Sequence, residues 1–227
     1  MSASLAVLLV LAVALALGVV ALERGGDGAK EVALVATLGA VAAAGRVLFS
    51  PLPGVQPVTV TCIVAGAALG PRAGLAVGPI AGLISNSFLG QGPWTPPQMA
   101  LWAAAGLTGA FLRPLCRRAV GLALLAGVWG LLFGWAMNAW FLASFGPEVS
   151  WASFVLVSGR SVPFDVAHAA GNVVFALAIG PALLRLLGRY ALRVRTEVVV
   201  SPTGSPVPAP ATAGPRAPPP PPPEPRR

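Results

Sequence analysis

Long apolar runs, separated by short polar or proline-containing segments, dominate the chain. The first run covers 3–22 and carries no charged residue. At a rise of about 1.5 Å per residue, a helix of this length crosses a hydrocarbon core about 30 Å thick. A cleaved signal peptide is the alternative, but a basic segment before the run and a clear small-residue cleavage site are both missing. We predict a retained helix and assign 1–29 to it and its loop.

Six further apolar segments follow the polar loop 23–30. Prolines and glycines punctuate their connections, since proline ends helices and glycine permits tight turns. The segment 144–161, which carries Glu148 and Arg160, is predicted to be a longer connection. The predicted fold is therefore an all-α integral membrane protein, with one extra helix before a six-helix bundle in 30–192. Its six segments are 31–49, 57–69, 73–90, 98–112, 119–143 and 162–187.

The tail 193–227 differs in composition from everything before it. From about residue 200 it holds twelve of the 24 prolines and ends in PRAPPPPPPEPRR. Such a sequence favours extended polyproline II conformations and cannot build a packed core. We predict a disordered cytoplasmic tail, with a ligand for a proline-recognising partner as the alternative.

The composition indicates that lipid surrounds most of the chain. Of 227 residues, 56% are hydrophobic and 10% are charged, whereas soluble domains carry about 25% charged residues. The formal net charge of +8 would favour nucleic acid in a soluble protein, but here the basic residues occupy short loops and the tail. We therefore predict a multi-pass plasma-membrane protein with no nucleic-acid partner. Cys62 and Cys116 form no CxxC pair, so neither a disulfide nor a metal site is predicted.

The basic residues also predict an orientation. If every segment crosses the membrane, one side receives most of them, and the positive-inside rule makes that side cytoplasmic. The loops PLPGVQP and GQGPWTPPQ and the segment 144–161 then face outward, with Arg46 and Arg160 as their only basic residues. The cytoplasmic set is Arg24, Lys30, Arg72, Arg113, Arg117, Arg118 and the arginines after position 184.

Motifs for catalysis are weak. The chain has no GxxxxGK[ST] nucleotide-binding pattern. His168 is the single histidine, and Ser158-Gly159 before it lacks the context of a serine nucleophile. The sequence therefore predicts a protein that is not an enzyme and that needs no cofactor.

The last apolar segment carries the most conspicuous polar residues. Spacings of three and four place Asp165, His168 and Asn172 on one helix face. Polar groups inside membrane helices normally face the bundle interior and often mark function. The alternative is a structural network in which Asp165 and His168 satisfy each other, or an Asp165 that caps the helix near its outer end.

Other polar candidates lie at the predicted outer ends of further segments. Asn86 continues the period-four series Gly74, Gly78, Gly82, and Asn138 continues Gly130, Gly134, so both should face protein. A helix–helix hydrogen bond explains these asparagines as well as ligand contact does, and tryptophans near the loops are also typical of the membrane interface. Together the outward loops and helix ends predict a small-molecule pocket. Its candidate residues are Gln56, Asn86, Gln91, Trp94, Gln98, Trp102, Asn138, Asp165, His168 and Asn172.

The segment 31–49 contains a period-four ridge of small residues, Ala36, Ala40 and Ala44. Small residues let helix backbones approach closely. The ridge is either an internal packing face or a docking surface for a partner's helix.

Four ordered stretches are similar to one known family. They are RVLFSPLPGVQPVT, AGAALGPRAGLAVG, SNSFLGQGPWTPPQMALWAAAGLTG and DVAHAAGNVVFALAIGPALLRLL. Over roughly 30–190, the chain resembles the substrate-binding S components of energy-coupling factor (ECF) vitamin transporters. The extra helix and the proline-rich tail fall outside that pattern.

The resemblance implies a six-helix S-component bundle with a pocket near the outer surface. It also implies a membrane coupling subunit, contacted through Ala36, Ala40 and Ala44, and two ATP-binding-cassette ATPases. The implied substrate is a vitamin-like solute, with riboflavin- and cobalamin-type members the nearest. The alternatives are a self-sufficient secondary transporter, for which no inverted repeat is visible, and a non-transport membrane scaffold.

Overall fold

The computed structural model describes residues 29–146 and 148–196, with side chains for 30–146 and 148–192. The helix predicted at 3–22 and the proline-rich tail from about 200 lie outside the described residues. Within them every regular element is helical, and eight helices occur. They are α1 (Ala29–Leu48), α2 (Val58–Leu69), α3 (Pro71–Leu89), α4 (Thr95–Phe111), α5 (Arg113–Cys116), α6 (Ala119–Phe145), α7 (Trp151–Ala178) and α8 (Gly180–Thr196).

Three helices are long and apolar enough to cross a membrane: Lys30–Leu48 within α1, all of α6 and all of α7. Their outer faces carry large exposed hydrophobic side chains, such as Leu124 at 62% and Val174 at 63% exposure. So much exposed apolar surface is costly in water and is compatible with lipid. The all-α prediction is thus confirmed for the described residues, and three of their helices could span a membrane, whereas the six-plus-one arrangement stays a prediction.

The predicted segments 57–69, 73–90, 98–112 and 119–143 match α2, α3, α4 and α6 to within a few residues. The turn between α2 and α3 shows why such boundaries are readable. Gly70 has φ +107° and donates its N–H to the Gly66 carbonyl, and Pro71 then begins α3. Glycine tolerates this dihedral, and proline is favoured in the first turn because its missing N–H would be unsatisfied there anyway.

The prediction that 144–161 is a connection is wrong for most of its length. Helix α7 begins at Trp151, and Ser150 caps it by accepting a hydrogen bond from the Ser153 N–H at 3.2 Å. Serine is a preferred N-cap because its oxygen satisfies one of the free N–H groups of the first turn. Ser158, predicted in or near a loop, therefore lies inside this helix.

The final segment 162–187 is not one helix. Helix α7 ends at Ala178, and α8 starts at Gly180 with Pro181 in its first turn. Proline has no N–H to continue the preceding helix and its ring clashes with that helix's last turn. The helix is therefore interrupted at Ile179, directly before Gly180-Pro181.

Three glycines bring α2, α3 and α4 into backbone contact. A Cβ atom on Gly74 would lie 2.6 Å from the Gly106 carbonyl oxygen and 3.0 Å from the Gly66 Cα. A Cβ on Gly106 would in turn lie 2.5 Å from the Gly74 carbonyl carbon. Only glycine lets three helices cross this closely, so this crossing sets the relative positions of α2, α3 and α4.

A second close packing joins α6 to α7. A Cβ on Gly130 would lie 2.5 Å from the Ala169 Cα, and one on Gly134 would collide with the Asp165 carboxylate. The predicted packing groove of Gly130 and Gly134 is therefore confirmed. A hydrogen bond of 2.7 Å from Trp129 Nε1 to Thr108 Oγ1 links this helix pair to α4.

Basic side chains gather at one end of the bundle. Arg113 donates from Nη2 to the Ala68 carbonyl at 3.4 Å, near the C-terminal end of α2. Arg185 and Arg189 line a groove with Arg113, and the Tyr190 hydroxyl donates to the Lys30 carbonyl at 3.4 Å. The N-terminal end of α2, with the loop before it, therefore lies at the opposite end.

Candidate functional site

A cavity of about 340 Å³ lies at the end of the bundle opposite the basic groove. Helices α1, α4, α6 and α7 form its walls, and the loop between α1 and α2 lines it as well. Its polar lining is a mixture of charged, amide and hydroxyl groups, and its apolar lining combines three phenylalanines with aliphatic side chains. The lining includes Arg46, Gln56, Gln98, Phe133, Asn138, Ser161, Asp165 and His168.

The loop before α2 is held against α7 by a glycine. Gly54 has φ +77°, a conformation that other residues rarely adopt. A Cβ at this position would lie 3.0 Å from the Phe164 carbonyl oxygen and 3.2 Å from the His168 backbone nitrogen. Because Gly54 has no side chain, the loop can rest directly on the α7 backbone and form one wall of the cavity.

Arg46 organises the wall formed by α1. Its Nε donates to Gln56 Oε1 at 2.9 Å, and its Nη1 donates to Ser85 Oγ at 2.6 Å and to Asn86 Oδ1 at 2.5 Å. Ser85 and Asn86 are buried in α3. One half-buried guanidinium therefore joins α1, the loop and α3.

Asn86 extends this network to α4. Its Nδ2 donates to Thr95 Oγ1 at 2.9 Å and to Gln98 Oε1 at 3.0 Å. Asn86 is 1% exposed, which confirms the prediction that it faces protein. It lies behind the cavity wall and orients Arg46 and Gln98, which line the cavity.

A row of aromatic rings connects Arg46 to α7. The guanidinium carbon of Arg46 lies 5.1 Å from the Trp102 ring centroid. Trp102 and Phe133 have centroids 5.1 Å apart, and Phe133 stacks on His168 at 5.3 Å with an interplanar angle of 19°. His168 Nε2 also lies 3.3 Å from Thr59 Oγ1. Stacked and tilted rings of this kind stabilise each other, and Phe133 and His168 also line the cavity.

The opposite wall carries a carboxylate. Asn138 Nδ2 donates to Ser161 Oγ at 2.7 Å, and Ser161 Oγ lies 2.7 Å from Asp165 Oδ2. The single hydroxyl proton of Ser161 is best used toward the carboxylate, because bonds to charged acceptors are the stronger ones. Asp165 is 3% exposed and lies in the interior of α7.

Two expectations for Asp165 are therefore wrong. It does not cap α7 near its end, because α7 begins at Trp151, well before it. It also does not satisfy His168: the carboxylate accepts from Ser161, whereas His168 contacts Thr59.

The predicted site residues differ in whether they line the cavity. Gln56, Gln98, Asn138, Asp165 and His168 line the cavity. Trp102 is fully buried and lies beneath Arg46.

Three candidates lie elsewhere. Asn172 is fully buried and donates to the Ala126 carbonyl at 3.2 Å, which ties α7 to α6. Gln91 and Trp94 are exposed; Gln91 donates to the Leu83 carbonyl of α3, and Trp94 donates to the Gly90 carbonyl just after that helix. The structure brings none of the three into the cavity lining.

Sequence reasoning missed Arg46, Ser161 and Phe133 as cavity residues. The sequence identifies Arg46 only as a charge near the end of an apolar segment, and it places Ser161 in a predicted connection. The usable signal for Arg46 was its place on the same side as Gln56 and Asn86 in the predicted topology. Phe133 carries no signal that separates it from an ordinary core residue.

The small-residue ridge of α1 faces outward. Ala36, Ala40 and Ala44 are exposed, whereas the internal face of this helix is formed by residues that include Gly39 and Ala42. A Cβ on Gly39 would lie 2.8 Å from Ile80 Cβ. The ridge is therefore not the internal packing face of α1.

No family model, curated protein or solved structure matches the chain. Arg46, Asp165 and the side chains around them form a partly polar, partly apolar cavity with a cation on one wall and a carboxylate on the other. This arrangement can hold a small polar molecule by apolar contact and hydrogen bonding.

Proposed function

We propose that the chain is the substrate-binding S component of an ECF-type importer, and that it binds a vitamin-like solute at the outer face. The observation that carries the proposal is the cavity between Arg46 and Asp165, at the end of the bundle away from the basic groove. Under the positive-inside rule the basic end is cytoplasmic, so the cavity faces outward. Delivery inward would then be energised by a separate coupling subunit and two ATP-binding-cassette ATPases.

The volume of the cavity limits the size of the solute that it can enclose. A volume of about 340 Å³ is at the low end of the range of about 300–1,000 Å³ for small-molecule sites. Such a cavity encloses a molecule of riboflavin size or smaller. Cobalamin is much larger and would project far outside it. Between the two family types implied by the resemblance, the geometry favours the smaller.

The exposed ridge of α1 offers a contact surface for a helix of a partner protein. Ala36, Ala40 and Ala44 leave the surface of this helix shallow, and the neighbouring Val41 is 61% exposed. Shallow surfaces of small residues allow a second helix to approach closely in lipid. We assign this ridge to the membrane coupling subunit.

Ala40→Trp is expected to reduce recovery of the coupling subunit and the ATPases at least about tenfold. The indole would stand on the exposed ridge and hold a partner helix away. The measurement is co-purification of a tagged chain from its host membranes, with partner subunits quantified by mass spectrometry. Bound solute should be retained, because Ala40 does not line the cavity.

Leu124→Trp on α6 is the matched control, since it places the same side chain at a position that is 62% exposed on another helix. It should leave partner recovery unchanged. Equal losses in the two variants would mean that any added tryptophan disturbs the complex. Unchanged partner recovery in Ala40→Trp would exclude the ridge as the contact.

Uptake in cells tests the importer as a whole. Accumulation of the solute should require co-expression of the coupling subunit and ATPases, and it should survive deletion of 200–227. Accumulation by the chain alone would instead establish a self-sufficient transporter. Loss of uptake on deleting the tail, with a folded six-helix core, would favour a scaffold that recruits partners through its prolines.

A further inference from the structure

We propose that the solute carries an acidic group, a carboxylate or a phosphate, that binds the guanidinium of Arg46. This inference rests on the proposed solute-binding function and names the chemical class of the solute. It comes from the incomplete pairing of Arg46, which lines the cavity.

The hydrogen bonds of Arg46 leave one nitrogen unused. A guanidinium has five N–H donors. The bond to Gln56 uses Nε, and the bonds to Ser85 and Asn86 use Nη1. Among the described residues, these three bonds do not involve Nη2. Its two N–H groups therefore remain for a molecule in the cavity that Arg46 lines.

The charge of Arg46 is also uncompensated by its partners. Gln56, Ser85 and Asn86 are neutral, and the ring of Trp102 contributes only a weak attraction from its face. A cation inside a membrane helix normally pairs with an anion, because desolvating an unpaired charge is costly. The neutral acceptors fix the direction of the guanidinium without neutralising it.

The acidic residue of the cavity does not neutralise the charge of Arg46. Asp165 is the carboxylate in the lining, and it accepts its hydrogen bond from Ser161 on its own helix. A solute acid would supply the missing charge, and charge-assisted bonds from arginine to carboxylate or phosphate are among the strongest in proteins. Phe133 and His168, which line the cavity, would contact the apolar part of the same molecule.

Matched pairs of compounds test the acid directly. The full chain, purified in lipid nanodiscs, is titrated with biotin and biotinamide, nicotinate and nicotinamide, and pantothenate and panthenol. A second arm uses flavin mononucleotide against riboflavin and thiamine monophosphate against thiamine. In at least one pair, the acid should bind at least tenfold more tightly than its neutral partner. The arm that shows the preference identifies carboxylate or phosphate.

Arg46→Gln should reduce that preference to within about threefold, whereas Arg46→Lys should keep part of it. The thermal midpoint of the empty protein separates binding from folding. It should change little in Arg46→Gln, because removing an uncompensated charge from the interior offsets the loss of its three hydrogen bonds. A purely structural Arg46 would instead lower the midpoint and leave the acid preference of the folded fraction intact.

Two failures are distinguishable. If a neutral compound binds as tightly as its acid, and Arg46→Gln leaves both unchanged, the acid inference is overturned while solute binding stands. If no compound of either arm binds to the folded protein, the proposed vitamin-binding function is overturned together with the inference.

Discussion

Gly106→Leu should prevent stable assembly of the helix bundle. At the crossing of α2, α3 and α4, even a Cβ on Gly106 would lie 2.5 Å from one Gly74 backbone atom and 2.7 Å from another. Since both contacts are with main chain, no rotamer change relieves them, and the helices must separate. We expect a loss at the exceptional end of single substitutions, more than about 4 kcal/mol. Heating followed by size-exclusion chromatography of the detergent-solubilised protein measures it as a fall of about 10 °C or more.

Gly159→Leu is the matched control for this substitution. Gly159 lies in α7, and a Cβ there would have no atom within 4 Å. Replacing an exposed helical glycine removes backbone freedom from the unfolded chain, so stability should be unchanged or slightly higher. A similar loss in both variants would show that leucine is harmful for reasons unrelated to the crossing. A stable Gly106→Leu protein would show that these helices do not cross as described.

Asn138→Trp should strongly weaken solute binding in the cavity. Asn138 is half-buried and lines the cavity between α6 and α7. An indole at this position would occupy part of the 340 Å³ and would remove the bond to Ser161. We expect solute binding to weaken at least about a hundredfold, which corresponds to about 2.7 kcal/mol. The amount of solute that co-purifies per mole of protein gives the result.

Two further variants show whether the loss of solute binding comes from filling the cavity. Ala139→Trp places the same side chain one residue later, at an exposed position outside the cavity lining, and should retain solute. Asn138→Ala removes the amide without filling space, and should lose far less binding than the tryptophan variant. Full solute occupancy in Asn138→Trp would mean that the solute binds elsewhere.

Much of the fold could be predicted because the signals are local. The apolar run of α2 is bounded by Pro57 and Gly70, and glycine or proline marks the ends of α3 and α4 as well. The glycine series also predicted packing faces correctly, since a period of four places Gly130 and Gly134 on the same side of a helix. In both cases neighbouring residues carry the whole signal.

The prediction for 144–161 was wrong because most of its polar residues lie within a helix and not in a connection. The segment 144–161 contains three serines after Ser150 and one arginine, and it looked like a connection. Ser150 caps a helix there, and the cap is visible in the sequence as a serine before an apolar stretch. The break at Gly180-Pro181 was likewise readable, because the same dipeptide had predicted the turn at Gly70-Pro71.

The candidate site was harder because it depends on long-range contacts. Asp165 and His168 share one face of α7, yet their hydrogen-bond partners are Ser161 and Thr59. Arg46 meets Asn86 across 40 positions of sequence. Nothing in either local sequence specifies that contact; it requires α1 and α3 to pack side by side. Polar residue type therefore identified candidates, and tertiary packing decided which of them line the cavity.

A structure of the full chain purified from its host in lipid nanodiscs, at a resolution that shows side chains, tests the central claim most directly. We predict non-protein density within the cavity, in contact with Arg46 on one wall and reaching toward Asp165 on the other. A co-purifying small molecule found outside this cavity, for example in the groove beside Arg113 and Arg185, would contradict the account. So would a cavity filled only by lipid chains or protein side chains.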